Sequence, residues 1–197
     1  MTFRLGLTGS IGMGKSTTAQ MFRDLGIPVW DADATVHRLY SKGGAAVGRV
    51  SALFPQALVD GAISRDQLRS IIADDPDALT KIEQIVHPLV ADDRRQFLES
   101  SSADILVLDI PLLFENGSVH LFDAVLVVSA PPDVQMSRVL ARADMTLDRF
   151  QAILARQMPD AEKRARADYV IETLTLDDTR KAVESLVHEI RQGMTDA

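Results

Sequence analysis

The chain has no cysteine, few aromatic residues and no long hydrophobic run among its 197 positions. The absence of cysteine excludes disulfide bonds, cysteine-ligated zinc and iron–sulfur clusters. No apolar run approaches the roughly 18 residues that span a bilayer. The segment of residues 1–8 lacks the charged-then-apolar layout of a signal peptide. We therefore expect a protein of the cytoplasm that does not enter a membrane.

Positive charge is also scarce, because the formal net charge is −7 at pH 7. This balance argues against a broad nucleic-acid-binding surface, so we expect no nucleic-acid partner. Basic side chains nevertheless outnumber acidic ones in residues 138–166. Two interpretations of that segment stay open: a site for a small anionic ligand, and an ordinary solvated helix face.

The sequence does show the alternation of strands and helices that is typical of an α/β protein. Short apolar runs predict strands at residues 3–8, 27–31, 104–110, 123–130 and 168–171. Helices are predicted at residues 15–25, from 34 to 40, from 131 to about 143, from 147 onward and near the end of the chain, where Val183, Leu186, Val187 and Ile190 share a face. This order predicts a three-layer fold with a parallel sheet. Residues 45–100 are predicted to be almost wholly helical, which is too long for a simple crossover and indicates an inserted helical lobe that binds an acceptor.

A phosphate-binding loop is the most specific motif. Residues 9–16 read GSIGMGKS and match G-x-x-x-x-G-K-[ST], between a predicted strand and a predicted helix. Glycines allow main-chain N–H groups to surround phosphates, Lys15 reaches the β- and γ-phosphates, and the Ser16 hydroxyl is a hard oxygen ligand for Mg²⁺. The expected nucleotide-binding residues are Gly9, Ile11, Gly12, Met13, Gly14, Lys15, Ser16 and Thr17. The chain is therefore predicted to bind a nucleoside triphosphate with Mg²⁺.

The surrounding motifs narrow the class of nucleotide-binding protein. The N-K-x-D and D-x-x-G motifs of GTPases and the L-S-G-G-Q signature of transporters are absent from the sequence. Small P-loop kinases remain favoured, in which positioning and charge neutralisation carry most of the catalysis. A kinase for another small molecule, such as a nucleoside, and a regulatory nucleotide-binding module remain as alternatives.

Three aspartates follow predicted strands, where open α/β sheets bind ligands. Asp31 and Asp33 are two residues apart, so on a strand they would share a face, and a carboxylate there can accept the proton of an attacking hydroxyl. Alternatively, Asp33 caps a helix that begins at Ala34. Asp109 ends an apolar strand and is a candidate to hold Mg²⁺ through water, or it is an ordinary polar strand end.

Together, the motifs resemble the dephospho-CoA kinase family. The resemblance rests on the phosphate loop, on D-A-D at residues 31–33, on His87-Pro88 and on D-I-P-L-L-F-E at residues 109–115, and it covers nearly the whole chain. It implies transfer of the γ-phosphate of ATP to the ribose 3′-hydroxyl of dephospho-CoA, the last step of coenzyme A synthesis. The implied fold is a P-loop kinase core with a helical acceptor lobe and a helical lid.

The resemblance also implies roles for particular residues. It makes Asp33 the general base, with Lys15 on the triphosphate, and it places His87 and Arg65 in the acceptor pocket. The alternative for His87 is a packing residue beside a proline that kinks its helix. The implied single domain has its core at residues 1–40, 101–135 and 167–197, its lobe at 41–100 and its lid at 136–166.

The predicted lid carries the remaining candidates. Arg138 and Arg142 are four residues apart on a predicted helix and would project from one face. The resemblance makes Arg142 the better candidate for stabilising transition-state charge and Arg138 the second, and it makes both of them nucleotide-binding residues. Gln157 matches a glutamine at the end of the lid. After the last strand, Glu172-Thr173-Leu174 replaces the family's usual Asp-Asn and glycine turn. Adenine must therefore be held differently here, and we expect backbone groups to hold it.

Overall fold

The structure, a computed structural model, describes residues 2–195, which group into two compact units. The residues up to Trp30 and those from Ser102 onward form the first unit. Asp31–Ser101 form the second unit. Residues 31–40 and Ser101, which the sequence-based division assigned to the core, therefore group with the helical lobe, and the boundaries of core, lobe and lid remain a prediction.

The secondary-structure elements follow the predicted alternation. The strands are β1 (Phe3–Thr8), β2 (Val29–Asp31), β3 (Leu58–Val59), β4 (Ala62–Ile63), β5 (Ile105–Asp109), β6 (Ala124–Ser129) and β7 (Tyr169–Glu172). The α-helices are α1 (Lys15–Asp24), α2 (Ala32–Tyr40), α3 (Val47–Leu53), α4 (Arg65–Asp74), α5 (Pro76–Ser100), α6 (Pro132–Leu140), α7 (Leu147–Leu154), α8 (Asp160–Arg166) and α9 (Leu176–Thr195).

The first unit is built on a five-stranded parallel sheet in the order β2-β5-β1-β6-β7. Every residue of β5 and β6 is buried, because parallel strands covered by helices have no solvent-facing side. This explains why both strands read as continuous apolar runs, and it confirms the predicted α/β fold. In α9, the predicted face of Val183, Leu186, Val187 and Ile190 is buried in the core.

The second unit is helical except for one hairpin, so the prediction of an almost wholly helical segment is wrong at that point. Strands β3 and β4 pair antiparallel around Asp60 (φ +50°) and Gly61 (φ +83°). Two consecutive left-handed residues form the tight turn that matches the twist of a hairpin, and Asp-Gly is a favoured sequence for it. A separate core, which includes Val50 and Ile82, fills this unit.

The helix ends have clear local causes. Asp75 caps α5 by accepting a hydrogen bond from the N–H of Asp77 (2.9 Å), and Pro76 occupies the first position of the helix. Gly26 (φ +76°) follows α1, as predicted for its stop. Along residues 2–195, none of the helices combines the length and the apolar character that crossing a membrane requires.

Candidate active site

The loop between β1 and α1 requires glycine at two positions. Gly12 (φ +80°) and Gly14 (φ +86°) adopt the left-handed conformation. A Cβ on Gly12 would lie 2.5 Å from Cγ2 of Val139, and a Cβ on Gly14 would lie 2.8 Å from Oγ1 of Thr173. Helix α1 begins directly after Gly14, so its free N–H groups and the positive end of its dipole lie at the loop. The loop therefore has the properties of an anion site.

Lys15, the lysine of this loop, is paired with Asp109. Its Nζ forms an ion pair with Oδ1 of Asp109, and the two side chains are 15% and 2% exposed. The parallel register places Asp109 opposite Leu7, near the end of β1. The pair therefore brings a cation and a carboxylate together at the carboxyl end of the sheet, where the predicted phosphate and metal contacts lie.

The two candidate lid arginines line one cavity, although the predicted helix that carries them is too long. Helix α6 ends at Leu140, so Arg142 lies in the following turn, and the predicted i, i+4 arrangement on a helix face is wrong. After Leu140 the chain turns, and Asp144 adopts the left-handed conformation at φ +61°. Arg142 is exposed, whereas Arg138 is partly buried.

A cavity of about 260 Å³ opens beside the glycine loop. Its lining residues are Gly12, Gly14, Thr17, Arg138, Arg142, Thr173, Leu174, Thr175, Leu176 and Thr179. Sequence analysis named the loop and the arginines but did not list Thr173 to Leu176 as site residues. Their position directly after β7 was the available signal, because ligands of open α/β sheets bind beyond the carboxyl ends of the strands.

Two glutamines hold the loop at Ile11. The N–H of Ile11 donates to Oε1 of Gln157 (3.1 Å), and Nε2 of Gln135 donates to the carbonyl oxygen of Ile11 (2.7 Å). Gln135 lies on α6, and Gln157 lies between α7 and α8. Both main-chain groups of Ile11 are thus engaged by side chains from beyond β6. The glutamine that sequence analysis noted at the end of the lid therefore contacts the phosphate loop.

Glu115, the last residue of the D-I-P-L-L-F-E motif, joins the loop after β5 to the segment after α7. Its Oε1 accepts a hydrogen bond from the N–H of Met158 (2.8 Å) and forms an ion pair with Nζ of Lys163 (2.9 Å). The Lys163 side chain is completely buried. Burial raises the pKa of the Glu115 carboxyl, but the pair with Lys163 and the backbone hydrogen bonds outweigh burial, so its pKa lies below its usual range.

In the second unit, the structure separates the roles of the two neighbouring aspartates. Asp31 is the N-cap of α2, because its Oδ1 accepts a hydrogen bond from the N–H of Ala34 (2.9 Å). The alternative in which Asp33 caps the helix is therefore wrong. The expectation that both residues lie on one strand face is also wrong, because β2 ends at Asp31 and Asp33 lies in the first helical turn, exposed.

The other two acceptor candidates also lie on helices of the second unit. Arg65 is exposed at the first position of α4. Burial raises the pKa of Tyr40, and the positive charge of Arg65 lowers that pKa by a smaller amount. His87 is exposed on α5, which continues through Pro88, so its alternative interpretation as a packing residue is wrong.

The protein groups fit a magnesium ion that is bound partly by water and phosphate. Within residues 2–195, no three His, Asp or Glu side chains gather as a metal cluster. Mg²⁺ usually retains several waters and takes one or two protein ligands together with substrate phosphates. The exposed hydroxyl of Ser16 at the start of α1 and the buried carboxylate of Asp109 are suitable groups for such an arrangement.

Comparisons with known proteins identify the family. Residues 3–190 match the family described as dephospho-CoA kinase. A dephospho-CoA kinase of Ruegeria pomeroyi is 62% identical over 193 residues, which cover 98% of each chain. A crystal structure from Thermus thermophilus has a TM-score of 0.84 and 36% identity, covering 95% of this chain and 97% of that chain. The dephospho-CoA kinase from Campylobacter jejuni has a TM-score of 0.71 and 25% identity, covering 98% and 99%. This chain belongs to the dephospho-CoA kinase family.

Proposed function

We propose that this chain transfers the γ-phosphate of ATP to the ribose 3′-hydroxyl of dephospho-CoA, giving coenzyme A and ADP in the cytoplasm. The observation that carries the proposal is an intact phosphate loop with its lysine paired to Asp109, in a chain that matches the dephospho-CoA kinase family over residues 3–190. ATP is the phosphoryl donor that a P-loop kinase of this family uses.

The nucleotide side of the reaction uses the loop and its lysine. The main-chain N–H groups around Gly12 and Gly14 surround the phosphates, and the N-terminus of α1 adds its dipole. Lys15 neutralises the β- and γ-phosphate oxygens, while the buried carboxylate of Asp109 orients its ammonium. Ser16, and Asp109 through water, would hold Mg²⁺, which supplies further neutralisation of phosphate charge when bound.

The acceptor side of the reaction uses the second unit. In the proposal, Asp33 is the general base that takes or orients the proton of the 3′-hydroxyl. The Asp31 cap orders the first turn of α2, on which Asp33 lies exposed and available to a ligand. Arg65 and His87, which are both exposed, bind the acceptor. The family resemblance supports these three roles.

The predicted lid supplies a second cation, the guanidinium of Arg142. Arg142 is exposed at the cavity beside the loop and has no regular helix to hold it, so it can move toward the transferring phosphoryl group and stabilise its charge. Arg138 lines the same cavity, where it would contact the nucleotide. Closure of the lid excludes water, which would otherwise compete as the acceptor and hydrolyse ATP.

The substitution Asp33→Asn tests the proposed base. We expect turnover to fall by about 10²–10⁴ while ATP affinity is retained, because an amide cannot accept the proton. Asp31→Asn is the matched control, since asparagine caps helices as well as aspartate and this variant should keep its activity. Near-normal turnover in Asp33→Asn would remove Asp33 from this role.

A panel of acceptors tests the substrate. Dephospho-CoA, nucleosides, nucleotides and sugars are each incubated with ATP, ADP release is measured, and NMR locates the new phosphate. We expect ADP release with dephospho-CoA and a phosphate on its ribose 3′-oxygen. Preferential phosphorylation of a nucleoside, or tight ATP binding without transfer to any acceptor, would refute the proposed function.

A further inference from the structure

Thr173 is a buried polar residue at the nucleotide cavity for which sequence analysis found no role. It follows β7 directly, and its side chain is only 5% exposed. It packs against the glycine loop, since a Cβ on Gly14 would lie 2.8 Å from its Oγ1 and 3.1 Å from its Cβ. Thr173 therefore occupies the space that a side chain at position 14 would need.

The hydroxyl group of Thr173 both donates and accepts. Oγ1 lies 2.9 Å from the carbonyl oxygen of Met13 and 3.3 Å from that of Ser129, so its single proton is directed to the phosphate loop or to the end of β6. Nη1 of Arg138 donates to the same oxygen at 3.0 Å. One buried oxygen thus connects the loop, the sheet and the cavity arginine.

The main chain of Thr173 strengthens this connection. Its N–H donates to the carbonyl oxygen of Ser129 at 2.8 Å, and its own carbonyl oxygen accepts from Nη2 of Arg138. The Arg138 guanidinium therefore binds the turn through both of its terminal nitrogens. Nη1 donates to the side chain of Thr173, and Nη2 donates to its backbone. A planar guanidinium held at two points has few orientations left.

We propose that Thr173 is a positioning residue for the nucleotide site, coupling the phosphate loop to Arg138 through its hydroxyl group. This role rests on the proposed function in so far as the cavity binds ATP. Arg138 lines the cavity, and the carbonyl of Met13 belongs to the loop whose N–H groups bind phosphate. Loss of the hydroxyl removes one of the two contacts that hold the guanidinium and the one donor that the carbonyl oxygens of Met13 and Ser129 share, so the alignment of both sides of the site is weakened.

Two substitutions separate the hydroxyl group from the shape of the side chain. Thr173→Val keeps the branched shape that packs on Gly14 and removes the hydroxyl group, whereas Thr173→Ser keeps the hydroxyl group and removes the methyl group. We expect Thr173→Val to raise the KM for ATP about ten-fold, because a hydrogen bond to a charged group is lost, with the KM for dephospho-CoA within about two-fold. Thr173→Ser should restore the KM for ATP to within about three-fold of the parent.

Coupling to Arg138 is tested with a double substitution. In an Arg138→Met background, adding Thr173→Val should raise the KM for ATP by no more than about three-fold, because only the contact of the hydroxyl group with the main chain remains to be lost. An unchanged KM for ATP in Thr173→Val, a defect in Thr173→Ser equal to that of Thr173→Val, or full additivity with Arg138→Met would each overturn the proposal. Calorimetric binding of a non-hydrolysable ATP analogue repeats the comparison without an acceptor, so failure of the proposed transfer reaction is distinguished from failure of this role.

Discussion

The buried ion pair between Lys163 and Glu115 permits a quantitative prediction for Lys163→Met. Lys163 is completely buried, and its Nζ lies 2.9 Å from Oε1 of Glu115, whose side chain is 18% exposed. Methionine has nearly the length and volume of the lysine side chain, so the substitution removes the charge without opening a large cavity. The change therefore isolates the cost of leaving the Glu115 carboxylate without its cation.

Removal of one partner from a buried ion pair costs about 3–5 kcal/mol. Glu115 retains its hydrogen bond from the N–H of Met158, so we expect the lower limit, about 3 kcal/mol of unfolding free energy. In the double variant Lys163→Met/Glu115→Gln no charge remains in this place, and the amide oxygen still accepts from Met158. We expect that variant to lose only about 1 kcal/mol.

Urea unfolding at pH 7 measures these differences. Trp30 is the single tryptophan of the chain, is 4% exposed and lies in the same compact unit as the ion pair, so its fluorescence reports on that unit. Arg191→Met is the control, because its pair with Asp104 is about half exposed and should contribute less than about 1 kcal/mol. A loss below about 1 kcal/mol in Lys163→Met, or a double variant as unstable as the single one, would refute the reasoning.

Three further predictions concern pH, the glycine loop and the lid. The pKa of Glu115 is lower in the folded protein than in the unfolded chain. Its contribution to the free energy of unfolding is therefore fully present above pH about 4.5 and is lost as pH falls through the folded pKa. Acid unfolding of Glu115→Gln should depend less steeply on pH over this range. Gly14→Ala should cost about 1–2 kcal/mol in urea unfolding and weaken ATP binding in calorimetry, because alanine disfavours φ +86° and its Cβ meets Thr173; unchanged values would contradict the assigned backbone. Gln157→Glu retains an acceptor for the N–H of Ile11 but adds a negative charge near the expected position of the triphosphate. The KM for ATP should therefore rise about ten-fold, whereas an unchanged KM would place this residue away from the phosphates.

Much of the fold was predictable because its signals are local. The apolar runs of β5 and β6 and the spaced apolar residues of α9 correspond to buried faces, so composition and periodicity predicted them. The hairpin of β3 and β4 was missed because each strand has only two residues, although its Asp60-Gly61 turn was a readable signal. The early end of α6 was missed because the residues after Leu140 contain no proline or glycine to indicate it.

The sequence by itself determined the phosphate loop, the parallel sheet and the family resemblance, which the comparisons confirm. These features depend on residues that are contiguous or regularly spaced, so their physical requirements are visible along the chain. Tertiary structure alone decided which groups meet: Lys15 pairs with a carboxylate 94 residues away, and Arg138 binds a hydroxyl group 35 residues away. Such contacts depend on how strands and helices pack in space, and no local pattern carries that information.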